Sequence, residues 1–305
     1  MRLKFITLSL LSLFYVATTS AQTPLWQGKG RIAISSDGNE HDHDDWAATP
    51  LTLSLIAAKG LQDKMVLYTY SDHVWGSNQE MTLVEGMTAY EHMRESALGG
   101  AKHFGYDPER FICAVDNAEV AYNAMVSKIN ESTENNPLII IAAGPMQVVG
   151  EAINRSKVEC RKYVTVLTHS QWNNKHADSP YMKTDWDRHS GWTFNDMREA
   201  FESESGGGVA FVQIADQNGG EGYVGLNAPM RLFDWIKTSS ARNNPIYKEG
   251  SWDWLYSRIA TCVKREKNYD PSDAGMVIYL FTGEEKTNPN MAREIMENPI
   301  TPSNN

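Results

Sequence analysis

Residues 31–45 read RIAISSDGNEHDHDD, a short apolar run that passes without a break into five carboxylates within nine residues, Asp37 to Asp45. The run Arg31–Ser35 is nearly continuous in its hydrophobicity rather than alternating, the pattern of a strand covered on both faces. The same kind of run recurs at Met65–Tyr70, Phe111–Val115, Leu138–Ala143, Val164–Thr168 and Val209–Ile214. Between the runs lie segments with helical spacing, Trp46–Ala58, Glu80–Leu98, Ala118–Ile129 and Gln147–Asn154. The last third is mostly helical, at Pro229–Thr238, Trp252–Val263 and Asp273–Phe281. Strand and helix in alternation predict an α/β fold: a mostly parallel, Rossmann-like sheet flanked by helices, with right-handed crossovers. Gly206–Gly208 reads as a turn before the sixth strand, and the Asn- and Pro-rich tail after Asn288 is expected to fray.

The chain of 305 residues opens with basic Arg2 and Lys4, an apolar stretch from Leu8 to Ala17, and small residues through Ala21. That is the layout of a signal peptide over residues 1–21, with cleavage after Ala21, and the apolar stretch is too short to span a bilayer. The expected mature protein is therefore secreted or periplasmic, without a membrane segment. No linker divides residues 22–305, so one domain is expected there. Losing Arg2 and Lys4 takes the formal charge from −10 to −12. An acidic chain without a basic run excludes a nucleic-acid partner and suits a cation with a small-molecule or glycan substrate; a homo-oligomer stays open. Three cysteines, Cys113, Cys160 and Cys262, make no disulfide scaffold, though one bridge could form.

Ligands of open parallel sheets bind beyond the carboxyl ends of the strands. After the first strand comes the acidic cluster. Ser71, Asp72, His73 and Trp75 follow the second, Asp116 and Asn117 the third, Gly144 and Pro145 the fourth. His169, Trp172, Asn173 and His176 follow the fifth, and Asp216, Gln217 and Asn218 the sixth. This density of acid, amide and imidazole groups suggests a polar pocket for a hydroxyl-rich ligand. Five crowded carboxylates repel one another unless something offsets their charge. A calcium-type cation does so with oxygen ligands, a transition metal could recruit His41 and His43, and a solvated acidic helix cap is the third reading.

Three stretches resemble the nucleoside hydrolase superfamily. Ser36–Asp45, SDGNEHDHDD, is similar to the family's strand-one D-x-D-x-G-x-D-D, and closer to the T-D-x-G-N-E-P-D-D form of a secreted, sugar-active bacterial branch. Ile139–Val148, IIIAAGPMQV, resembles the strand-four A-T-G-P-L-T-N turn, and Tyr269–Gly283, YDPSDAGMVIYLFTG, the late D-P-L-A helix start. The resemblance implies a calcium cofactor held by Asp45, Glu40, Asp273 and the backbone carbonyl of Ala143, with Asp37 in Glu40's place if the loop is longer, or Asp270 in that of Asp273. It implies that Asp44, with Asn39 beside it, binds sugar hydroxyls. The sequence departs from the family where Gly38 replaces the first Asp, Ala143 replaces the strand-four threonine, and no His adjoins the late Asp.

The function expected from this reading is calcium-dependent hydrolysis of a glycosidic bond in an oligosaccharide, polysaccharide or other glycoside. Glu40 or Asp37 would serve as base and His73 or His169 as acid, with Trp75, Trp172 and Asn173 against the substrate. A nucleoside N-ribohydrolase and a non-catalytic carbohydrate-binding protein are the alternatives.

Overall fold

The computed structural model describes residues 23–38, 44–74, 84–144, 146–176, 191–219, 225–265 and 269–300. The expected signal peptide lies outside them, as do Asn39, Glu40, His41, His43 and Trp75. Six parallel strands form one sheet: β1 (Arg31–Ser36), β2 (Met65–Tyr70), β3 (Phe111–Cys113), β4 (Leu138–Ala143), β5 (Val164–Thr168) and β6 (Ala210–Gln213). The helices are α1 (Asp45–Ala58), α2 (Ala89–Phe104), α3 (Ala118–Asn130), α4 (Gln147–Arg155), α5 (Val158–Arg161), α6 (Phe194–Phe201), α7 (Trp235–Thr238), α8 (Ser251–Arg265), α9 (Ala274–Thr282) and α10 (Pro289–Glu297). The α/β class and the sheet flanked by helices are as the sequence predicts.

Strand order is β3-β2-β1-β4-β5-β6, so the winding reverses between β1 and β4. These two strands pair residue for residue from Arg31–Leu138 to Ser36–Ala143. Where winding reverses, the flanking crossovers leave in opposite directions and open a crevice at the carboxyl ends. Asp37 follows β1 and Gly144 follows β4, so sheet topology alone puts both at that crevice.

In β1, β4 and β5 the continuous apolar runs are explained by burial on both faces, whereas β6, at the sheet edge, is half-buried or exposed throughout. Ile32 and Ile34 join the cluster containing α1, α2, α8 and α9, while Ala33, Ile140 and Val166 face the cluster with Ile153, Phe194 and Met197. Every residue of α1 is buried. That helix carries Pro50, which has no N–H for the carbonyl of Trp46 four residues back. Ser96 Oγ on α2 donates to that carbonyl at 2.7 Å, and Arg258 on α8 in turn donates to Ser96 Oγ. Three helices thus cooperate to satisfy one backbone group that proline leaves open.

Two expectations need correction, and one open question, the cysteines, is answered. The second helix begins at Ala89, not Glu80, because Thr88 and Glu91 form a reciprocal capping box, and it runs on to Phe104. The chain does not fray directly after Asn288: Asn288 caps α10, whose Ala292, Ile295 and Met296 are buried, and residues 301–305 lie outside the described residues. All three cysteines are buried free thiols, with no bridge between them. Among the described residues no helix is long and apolar enough to cross a membrane.

Candidate functional site

The backbone around the crevice is built for close approach. The Asp37 N–H donates to the Ala143 carbonyl at 3.1 Å, and Ser71 and Asp72 N–H groups donate to the carbonyls of Asp37 and Ser36, extending the ladder past the strand ends. Two glycines are required by this geometry. Gly38 has φ +96°, and a Cβ there would run into Met93. Gly144 has φ +108°, and a Cβ there would overlap the Asp37 carboxylate. Trp46 Nε1 donates to the Gly38 carbonyl at 3.0 Å and its indole stacks on His92, which fixes the start of α1 against the loop.

Into this space three carboxylates converge from separate parts of the chain: Asp37 after β1, Asp45 in the first turn of α1 and Asp273 at the start of α9. One oxygen from each lies within 4.8 Å of the other two. Asp37 and Asp45 are buried. Ser36 Oγ donates to Asp45 Oδ1. Burial, followed by the charges of Asp37 and Asp273, pushes the Asp45 carboxyl well above its ordinary value. Oxygens on opposite sides of a calcium ion with ligand distances of about 2.3–2.6 Å stand about 4.6–5.2 Å apart, so this spacing fits such an ion. The Ala143 carbonyl spends one of its two lone pairs on the Asp37 N–H and stands at the same edge.

Two histidines flank the triad. His73 Nε2 faces Asp37 Oδ2 at 3.3 Å. His169, after β5, places Nε2 2.6 Å from Asp273 Oδ1 and Nδ1 3.8 Å from Asp216 Oδ1. Burial works against a charged His169 ring, but the two carboxylates outweigh it and raise the ring to about 9. The same contact with His169 draws Asp216 down to about 2. The Gln217 N–H donates to Nδ1 at 3.3 Å, nearer than Asp216, so the short contact with Asp273 at Nε2 is where a ring proton is held. Behind the triad Asp72 is fully buried, with Oδ2 accepting from Ser35 and Thr69 hydroxyls. Burial raises its carboxyl to about 8.

Of the candidate ligands, Asp37, Asp45 and Asp273 come together, while Glu40 lies outside the described residues. Asp270 is turned away, accepting from Asn227 Nδ2 and the Ser272 N–H. Asp44 sits at the N-cap of α1, where its carbonyl accepts from the N–H groups of Ala47 and Ala48. Trp172 stacks on His176 and lines a cleft of 630 Å³ beyond β5 and β6. Asn173 points inward instead, donating to Thr168 Oγ1 and the His169 carbonyl, and braces the end of β5. Asp216 was not among the candidates. Its only sequence signal is its place just after the sixth strand; the pairing with His169 spans 47 residues of chain and is a tertiary fact.

No family model matches the chain. A protein of Formosa agariphila described as "Uncharacterized protein P22" is 29% identical over 272 residues, which cover 88% of this chain and 89% of that protein. The crystal structure of an inosine-uridine preferring nucleoside hydrolase from Bacillus anthracis aligns with a TM-score of 0.46 and 9% identity, covering 88% of this chain and 99% of that one.

Proposed function

We propose that this protein hydrolyses the glycosidic bond of a small glycoside with the help of a divalent cation, and that a nucleoside N-riboside is the first substrate class to test. The observation that carries this reading is the convergence of Asp37, Asp45 and Asp273 at the sheet's switch point. The three sequence stretches that resemble nucleoside hydrolases are the ones that supply these carboxylates and the Ala143 carbonyl. Calcium suits three carboxylates better than a softer metal does. The cation would supply positive charge that draws sugar hydroxyls and makes water easier to deprotonate.

The residues of the chain do the rest. Asp37 takes a proton from a water molecule whose oxygen bonds to the anomeric carbon, and His73 holds the Asp37 carboxylate in place from 3.3 Å away. The bond from that carbon to the leaving group breaks, the departing group carries the electron pair into the cleft beside His169 and takes a proton from water there, and Asp37 returns to solvent the proton it accepted. The surrounding carboxylates stabilise the cation-like carbon in the transition state. The cleft volume of 630 Å³ falls within the range of small-ligand sites, about 300–1,000 Å³.

An O-glycoside is the second reading, and one observation favours it. The neighbour of Asp273 is Ser272, whose hydroxyl donates to Asn218, so no imidazole adjoins Asp273 in sequence to meet a nucleobase. The test is a parallel assay of chelator-treated protein, with and without calcium, on purine and pyrimidine ribosides and on aryl O-glycosides. Calcium-dependent release from either set, lost in Asp37→Asn, supports hydrolysis and names the class. Sugar binding without release, unchanged in Asp37→Asn, makes the protein a binding module instead.

A further inference from the structure

The cleft beyond β5 and β6 is separated from the carboxylate triad by one imidazole ring, that of His169. Its described lining is neutral, with Trp172, Gln213 and Ile214 among its walls, apart from one charged side chain, Asp216. That carboxylate is half-exposed, and its contacts with Asn218 and His169 all run to Oδ1. Among the described residues Oδ2 takes no hydrogen bond, and Asp216 lines the cleft. One imidazole, His169, stands between two carboxylates, with Nδ1 3.8 Å from Asp216 and Nε2 2.6 Å from Asp273, so a single ring cannot offset both. The wall opposite is firm: Gln213 Nε2 donates to the Ser170 carbonyl and to Asn174 Oδ1, and Trp172 rests on His176.

We propose that Asp216 makes this cleft a charge-selective subsite, which accepts a cationic or hydrogen-bond-donating group against Trp172 and rejects an anionic one. Resting on the hydrolase reading, the subsite would receive the leaving group, so amino- or hydroxyl-bearing leaving groups are favoured over carboxylated, sulfated or phosphorylated ones. The selection is electrostatic: an aromatic wall holds any flat or sugar-like group by its apolar face, and the carboxylate decides by sign.

The test is a ligand-observed NMR titration of the full chain, in chelator, with benzylammonium, benzyl alcohol and benzoate, three probes of one shape and three charges. Benzylammonium is expected to bind at least about tenfold more tightly than benzoate, about 1.4 kcal/mol. In Asp216→Asn that ratio should fall below about twofold, in Asp216→Glu it should be kept, and Trp172→Ala should weaken all three probes alike. An unchanged ratio in a folded Asp216→Asn protein, or no binding of any probe to wild type, overturns the proposal. If charge ranking is present but no glycoside is cleaved, the hydrolase reading fails while the subsite stands. If glycosides are cleaved without charge ranking, the reverse holds.

Discussion

The two ends of β1 both bury charge, and they treat it in opposite ways. At its start, Arg31 is 7% exposed, and its guanidinium donates to Glu131, Ser132 and the Asn136 carbonyl, so the charge is met by the protein itself. Past its end, Asp37 is equally buried but its near neighbours include Asp45 and Asp273, carboxylates of the same sign. A protein that keeps three carboxyls together gives up stability there as they ionise. The paired end is a device of folding; the crowded end is where a cation and a reaction belong.

Asp45→Asn should break this contrast most sharply. Turnover should fall at least about 100-fold, as when a charge-stabilising group is lost from an active site. In chelator at alkaline pH the same variant should melt above wild type, because one of three crowded charges has gone. Calorimetry beside the activity assay checks both; a variant that melts lower would mean the triad is not under repulsion.

Gly144→Ala tests the shape of the crowded end rather than its charge. The new Cβ overlaps the Asp37 carboxylate, and the positive φ disfavours any side chain, at about 1–3 kcal/mol. Cation affinity should drop about 10- to 100-fold, the range for groups that orient a ligand. A calcium titration monitored by heat would read it.

Asp72 lies just behind the crowded end and gives it a pH dependence. Its carboxyl is raised from 3.8 to about 8, so over that interval the folded chain keeps a proton that the unfolded chain has released. Stability therefore falls as pH rises through this window. Asp72→Asn should remove part of the fall, so its melting temperature in chelator should change less between about pH 5 and about pH 8 than that of wild type. Equal slopes would show Asp72 to be ionised in the fold.

Arg31→Met, at the paired end, should be the mildest. It forfeits charge-assisted hydrogen bonds and should cost about 2 kcal/mol of stability in denaturant unfolding. Calcium affinity and turnover should not change, because Glu131 is half-exposed and returns to water.

The contrast also marks what can be read from sequence. The run Arg31–Ser35 and its counterparts in β4 and β5 read as parallel strands because burial on two faces leaves no alternation; β6 follows the same pattern without that burial. Asp45 and Asp273 are legible through the stretches that resemble nucleoside hydrolases, in each of which the carboxylate stands at a helix start. The partners of His169 are not, because a residue that follows β5 meets Asp273 and Asp216 only after the sheet has formed and α9 has packed on it. The start of α2 at Ala89 was missed for a local reason: the capping box at Thr88 overrides helical spacing that continues upstream. The helix after Asn288 was hidden by a polar composition that conceals three inward-facing apolar residues.

The most direct test of the central claim is an isothermal titration of chelator-treated protein with calcium, wild type beside Asp37→Asn and Arg31→Met. One saturable calcium site in wild type and in Arg31→Met, lost in Asp37→Asn, is the predicted result. No heat from calcium in any of the three, with the melting temperature of wild type unmoved by calcium, would contradict a cation centre at the end of β1.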